Sequence, residues 1–303
     1  MKNILSAIFL FMLLSACETP VKEYNIPYEK SLVIESFISP EDSVIKVSVY
    51  KNEQVLIKLP SESGTVPQLN NALVELSGAD HKVQLQWYRI PTGKFYSENG
   101  VEKPVFDEGY RISAKSFPII AGETYTLKVS VPDYPEAIAN CTVPLNKVSL
   151  NNVETIYAEK NENSTLLQTL IVKYRVNPAP ESYYNFTVSF LQKFDKYPDL
   201  QTTTAHQLLS NENISGNFLI SNKFSFTELM NYPADMKLSK EYFEVKIYAI
   251  NKPFYLYNKS LIEAKRNEGN PFAEPVLTYT NFSGGLGVFA GYNSTPILTI
   301  KIK

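Results

Sequence analysis

Val44-Ile45-Lys46-Val47-Ser48-Val49-Tyr50 alternates with a period of two, placing Ile45, Val47 and Val49 on one face and Lys46 and Ser48 on the other. Side chains along a β-strand point alternately to opposite faces, so this pattern predicts a half-buried strand. Similar runs flank it. Leu32-Val-Ile-Glu-Ser-Phe-Ile38 precedes it, and Ala72-Leu-Val-Glu-Leu-Ser77 and Lys82-Val-Gln-Leu-Gln-Trp-Tyr88 follow. Thr124-Tyr-Thr-Leu-Lys-Val-Ser-Val131 is next, and Pro132-Asp-Tyr-Pro135 turns it into Ala137-Ile-Ala-Asn-Cys-Thr-Val143. The glycines and prolines between Ile90 and Pro118 predict loops there. Short strands separated by turns predict a β-sandwich over 31–145, immunoglobulin- or transthyretin-like, with a boundary at Pro144 to Asn146.

The remainder, 146–303, repeats the theme. Val148–Tyr157, Leu166–Val176, Tyr184–Leu191 and Glu241–Ile250 read as strands, and the pattern weakens between Pro198 and Pro233, where 226–230 reads as a helical turn. One helix is predicted, Pro253 to Arg266. Pro253 suits a first turn, and Phe254, Tyr257, Leu261 and Ala264 share a face. Lys265 and Arg266 meet the negative end of its dipole, and Gly269 ends it. This helix is expected to cover a sheet, being too rich in tyrosine and too poor in extended cationic surface for a membrane helix. Val276–Thr280, Val288-Phe289 and Thr295–Ile302 close the pattern. The fold class is therefore all-β, two sandwich-like domains with one sheet-covering helix.

Compartment is written in the first seventeen residues, MKNILSAIFLFMLLSAC. A lysine, an apolar core from Ile4 to Leu14, and small residues before Cys17 form a bacterial lipoprotein signal. The expectation is a signal peptide over 1–16, cleavage between Ala16 and Cys17, and lipid on Cys17. Residues 17–30 would form a tether. The competing reading is a short membrane anchor or buried N-terminal helix, which leaves the placement of Cys17 unexplained. The core is too short to span a bilayer, which takes about 20 residues. Stable anchoring by lipid takes more than one acyl chain.

Removing the first sixteen of 303 residues takes Lys2 and leaves 28 basic against 31 acidic side chains. That balance points away from nucleic acid. With Cys17 on lipid, Cys141 has no partner for an internal disulfide, and it reads as a buried core residue.

No catalytic constellation is legible. His81 and His206 lie outside any metal-ligand spacing and read as exposed loop residues. Glu41-Asp42 and Asp107-Glu108 read as solvated loop charges, because a glycosidase needs carboxylates facing each other across a cleft. Gly285, Gly287 and Gly291 do not match a dinucleotide loop and fit bulges or close backbone approach. Asn185-Phe-Thr187 and Asn281-Phe-Ser283 are acceptor sequences for glycosylation, without meaning behind a bacterial leader. Tyr183-Tyr184, Tyr242-Phe243 and Phe254-Tyr255-Leu256-Tyr257 suit either sheet cores or binding platforms. No cofactor and no metal are expected.

Asn270-Pro-Phe-Ala-Glu-Pro-Val276 and Thr280-Asn-Phe-Ser-Gly-Gly-Leu-Gly-Val-Phe-Ala-Gly-Tyr292 resemble the C-terminal signature of a Bacteroidota lipoprotein family, domain of unknown function 4249. The lipobox, Leu32-Val-Ile-Glu35, Ala72-Leu-Val-Glu-Leu76 and Gly122-Glu-Thr-Tyr-Thr-Leu-Lys-Val129 extend the likeness over nearly the whole chain. The resemblance implies an outer-membrane lipoprotein acting beside a TonB-dependent receptor, and it supplies no catalytic residues. The expected protein is a non-enzymatic binding subunit, held to the membrane by its N-terminal lipid. A glycan- or ligand-binding lipoprotein acting alone is the alternative, and an envelope hydrolase the third reading. Glu18 follows Cys17 without an acidic run, which leaves both the periplasmic and the cell-surface face open. The C-terminal glycines are expected to pack terminal strands under the helix.

Overall fold

A computed structural model describes residues 29–52, 68–78, 80–98, 100–145, 148–158, 167–176, 182–195, 197–215, 217–227, 238–268, 270, 273–274 and 276–301. The leader, Ala16, Cys17 and nearly all of the tether lie outside them, as do Gly269 and residues 228–230.

The first half contains β1 (Leu32–Ile38), β2 (Val44–Lys51), β3 (Leu73–Ser77), β4 (Lys82–Gln84), β5 (Gln86–Glu98), β6 (Val101–Ser113), β7 (Thr124–Ser130) and β8 (Ala137–Thr142). The second contains β9 (Val153–Ala158), β10 (Leu167–Arg175), β11 (Tyr183–Phe194), β12 (Tyr197–Ser210), β13 (Ile214–Ser215), β14 (Phe218–Ile220), β15 (Phe224–Thr227) and β16 (Leu238–Ile250). Helix α1 (Lys252–Asn267), β17 (Leu286–Ser294) and β18 (Leu298–Lys301) follow.

One large sheet unites the halves, in the order β12-β11-β16-β17-β1-β2-β6-β5, with β18 also paired to β16. A four-stranded sheet, β4-β3-β7-β8, covers one end of it, and a five-stranded sheet built around β10 covers the other. The first core joins Ile34, Ile45, Val47 and Val49 to Val74, Leu127, Val129 and Ala139. The second joins Phe186, Phe190, Phe243 and Val245 to Leu170, Val172, Leu219 and Phe226. Both cores lie on the same face of the large sheet, because Ala249 of the second pairs with Asn293, which shares its side of β17 with Phe289 of the first. The fold is all-β and sandwich-like, with two sandwiches sharing one sheet.

The pairing crosses the boundary drawn at 145/146. β17 returns from the second half and lies parallel to β1, with Val33 opposite Leu286 and Ile38 opposite Gly291. Phe282 and Phe289 enter the first core. β17 thus fastens the first described strand, β1, to the second half, while β18 pairs with β16.

Several local expectations change. The span from Ile90 to Pro118 is mostly a long hairpin, β5–β6, rather than loops. Gly93 takes a positive φ where the register slips between Pro91 and Phe95, so the glycine and prolines are bulge and edge features. Glu98 pairs with Val101 at the tip of the hairpin, and Gly100 beside it takes a positive φ. The weak-pattern region 198–233 contains the long β12, and Phe224–Thr227 is a strand, not the beginning of a helical turn. Val276–Thr280 joins no ladder; it runs beside α1, where the Tyr279 N–H donates to Ser260 Oγ.

Helix α1 begins as its sequence predicts. Asn251 caps it, Oδ1 accepting from the Phe254 N–H at 3.1 Å, and Pro253 occupies the first turn. It packs on the outer face of the large sheet through Phe254 and Tyr257, against Phe37, Val288 and Ala290. Ser260, not Leu261, completes the buried stripe. Its hydroxyl donates to the Tyr257 carbonyl and receives Tyr279, which turns Leu261 outward.

Candidate functional site

The C-terminal signature is the mechanical closure of the fold. Asn281 Nδ2 donates to the carbonyls of Phe289 (2.8 Å) and Asn140 (3.2 Å), while Oδ1 accepts from the Phe289 N–H (3.0 Å). Ser283 and Ile138 exchange backbone hydrogen bonds. A Cβ on Gly287 would stand 2.0 Å from the Ile34 carbonyl oxygen, and one on Gly291 would stand 2.9 Å from Cys141 Sγ. These glycines permit close approach of strands, as expected for them, rather than forming a phosphate cradle.

Around this closure lies a seam of carboxylates and phenols on the outer sheet face. Glu41 and Asp42 lie in the connection between β1 and β2, Glu41 exposed as expected and Asp42 half-buried, but both are bonded to β17. Glu41 Oε2 accepts from the Ser294 N–H (3.0 Å), Ser294 Oγ (3.1 Å) and Ser39 Oγ (2.9 Å). Asp42 Oδ1 accepts from the Tyr292 hydroxyl at 2.6 Å, and Tyr257 donates to Glu35. Burial raises the Asp42 carboxyl above its ordinary value, the Tyr292 bond opposing it. Burial and the neighbouring carboxylates push the phenols of Tyr257 and Tyr292 far upward, so both remain donors. Their partners stand some 220 to 250 residues away in sequence, which hid them. The seam can hold strands together; its bonded carboxylate oxygens are directed at the protein itself.

A native carboxyl raised above 3.8 favours the protonated form. The stability Asp42 contributes is fully present below its unfolded value and is lost as pH rises through the raised native value. Urea midpoints of wild type and Asp42→Asn, compared from acid to neutral pH, will therefore diverge in favour of the variant across that window. A constant difference would remove Asp42 from the titration.

Asp107 and Glu108 also differ from loop charges. They lie on β6 and point apart, Asp107 to Lys46 (2.9 Å) and the Tyr88 hydroxyl (2.8 Å), Glu108 to Arg89 (3.1 Å). Lys46 holds the Asp107 carboxyl below its usual range. His81 is exposed outside the strands; His206 is exposed but on β12, its Nδ1 3.0 Å from Thr187 Oγ1. Cys141 is buried, its thiol pushed up to about 12 by burial, and takes a long contact from Asn251 Nδ2 at 3.4 Å. Among the described residues no group of three His, Cys, Asp or Glu is placed to hold a metal, and no helix is long and apolar enough to cross a membrane.

The aromatic runs serve packing in part. Tyr184, Phe243 and Tyr257 are buried. Tyr183 and Tyr255 are half-buried and pair across the sheet–helix junction, centroids 4.8 Å apart. A different surface stands out more. Among the described residues the β5–β6 hairpin pairs with β2 through Tyr110–Ser113, and its outer part pairs within itself. Phe95 and Val101 there are 64% and 59% exposed, and the Arg89 guanidinium lies 3.8 Å over the Phe106 ring. Among the described residues β5 is also the edge strand of the large sheet, with one side free of ladder bonds. Asn99-Gly100 could have signalled this arm; its exposed apolar residues had no sequence signature.

Residues 18–297 match the profile of a family described as Domain of unknown function (DUF4249). No curated protein matches the chain.

Proposed function

This chain belongs to the family described as Domain of unknown function (DUF4249), and we propose that it is a non-catalytic lipoprotein of a Bacteroidota outer membrane. Its body is a double sandwich that binds a partner, a TonB-dependent receptor by family resemblance. The leader MKNILSAIFLFMLLSAC supports the anchor at Cys17. The observation that carries the binding role is the β5–β6 arm, with Phe95 and Val101 exposed beyond the shared sheet. Apolar side chains on a projecting edge hairpin suit burial against another protein.

The test is co-purification of the tagged full chain from its native envelope in mild detergent. Wild type is expected to bring down a TonB-dependent receptor. Phe95→Ser with Val101→Ser is expected to lose it while keeping the wild-type urea midpoint, because both side chains already face solvent. Cys17→Ser is expected to leave the membrane fraction. Recovery of the chain alone, with its genomic neighbours expressed, overturns the binding role.

A further inference from the structure

We infer that the outer ridge of α1 rests on the anionic headgroups of the membrane that carries the anchor, an inference that depends on lipid at Cys17. Lys252, Lys259, Ile262 and Arg266 are exposed and fall, by the helical repeat, on one stripe of the helix; Tyr255, between the two lysines, leans back onto Tyr183. The stripe is opposite Tyr257, the residue buried against the sheet. Ile262 is 44% exposed, and Lys259 Nζ stands 5.9 Å from the Tyr255 ring. The helix is too short of cationic surface to insert into a bilayer, but its outer stripe carries three cations, Lys252, Lys259 and Arg266, with Glu263 and Glu268 as the acids beside it, in a chain whose net charge is −2.

Position supplies the occupant. Phe254 packs on Phe37 and Tyr257 bonds Glu35, so α1 runs antiparallel to β1. Its last turns therefore lie toward the start of β1, where the chain arrives from Cys17. Leu277, 90% exposed, flanks the same turns, because Asn267 bonds the Glu274 carbonyl and Tyr279 bonds Ser260. From Cys17 to Glu29 the chain is twelve residues, which reach at most about 40 Å. The helix itself is about 24 Å long. A body on so short a tether stays at the bilayer surface, and the cationic ridge with Ile262 and Leu277 is the face suited to it. Basic side chains near an anionic surface each contribute about fivefold to partitioning, and apolar side chains add to this. An acidic protein surface shares the charge complementarity but not the link to the tether.

The full chain carrying lipid on Cys17, verified by mass, is reconstituted into vesicles of phosphatidylcholine with or without phosphatidylglycerol. A polarity-sensitive probe is attached at Ile262→Cys, or at Ile156→Cys on β9 as the control. Buried Cys141 does not compete for the probe. The probe at 262 is expected to shift blue and to be shielded from an aqueous quencher several-fold more than at 156. Shielding is expected to be stronger with phosphatidylglycerol and to weaken with salt. Lys259→Ala with Arg266→Ala is expected to reduce the docked-to-free ratio about 25-fold while the protein still floats with vesicles. Equal quenching at 262 and 156 on floating vesicles overturns the docking and leaves the anchor standing. Absence of lipid on Cys17 overturns the anchor and the docking with it. Shielding that appears only with added envelope proteins, or that grows with protein concentration at fixed lipid, assigns the ridge to a protein partner or a second copy and overturns the inference.

Discussion

Gly287→Ala will destabilise the fold by about 3–5 kcal/mol, a large share of the 5–15 kcal/mol available to a domain. Two effects combine. Gly287 has φ +101°, a conformation that side-chain-bearing residues rarely adopt, and its missing Cβ would stand 2.0 Å from the Ile34 carbonyl oxygen. That neighbour is backbone, held in the β1–β17 ladder by pairing on both sides, so it cannot turn away as a flexible side chain would. Relief requires displacing β17, which carries Phe289 out of the first core. Gly93→Ala is the control. Gly93 also has positive φ, but nothing lies within 4 Å of its added Cβ, so the cost there is about 1 kcal/mol. Urea midpoints measure both. Equal losses at the two positions would show that the β1–β17 contact does not close the fold.

Asn281→Ala will cost about 3 kcal/mol, because the Phe289 N–H and C=O lose their side-chain partner at a buried residue. Asn281→Asp separates acceptor from donor. Its carboxylate still accepts from the Phe289 N–H but faces the carbonyl oxygens of Phe289 and Asn140, to which Asn281 now donates. That placement favours the protonated acid and raises its native pKa above the unfolded value. The variant's stability is then greatest below the unfolded value and declines as pH rises through the native one. Relative to wild type, Asn281→Asp should recover on acidification, whereas Asn281→Ala should not. Parallel pH profiles for the two variants would show that the donor half of the side chain carries no weight.

Both predictions concern residues whose types were conspicuous in the sequence but whose partners were not. The strand alternation of β1, β2, β7 and β8 was legible because one face of each meets a core and the other meets solvent or the helix. The helix was legible from its first-turn proline, its apolar spacing and its basic last turn, all local; its cap Asn251 was not read. The β5–β6 arm was obscured because Gly93, Pro91 and Pro104 are loop residues by habit, and here sit in an edge hairpin with a bulge. The bonds of Glu41 and Asp42 were hidden because Ser294 and Tyr292 are remote in sequence.

By itself the sequence determined the all-β class, the helix that follows Asn251 and the burial of Cys141, because each depends on residue type and short-range spacing. Only the tertiary structure decided that the two sandwiches share one sheet, that β17 closes it beside β1, and that the acidic pair at 41–42 is tied to that closure. Those features depend on parallel pairing across some 250 residues, and neither periodicity nor composition encodes which distant strand a strand will meet.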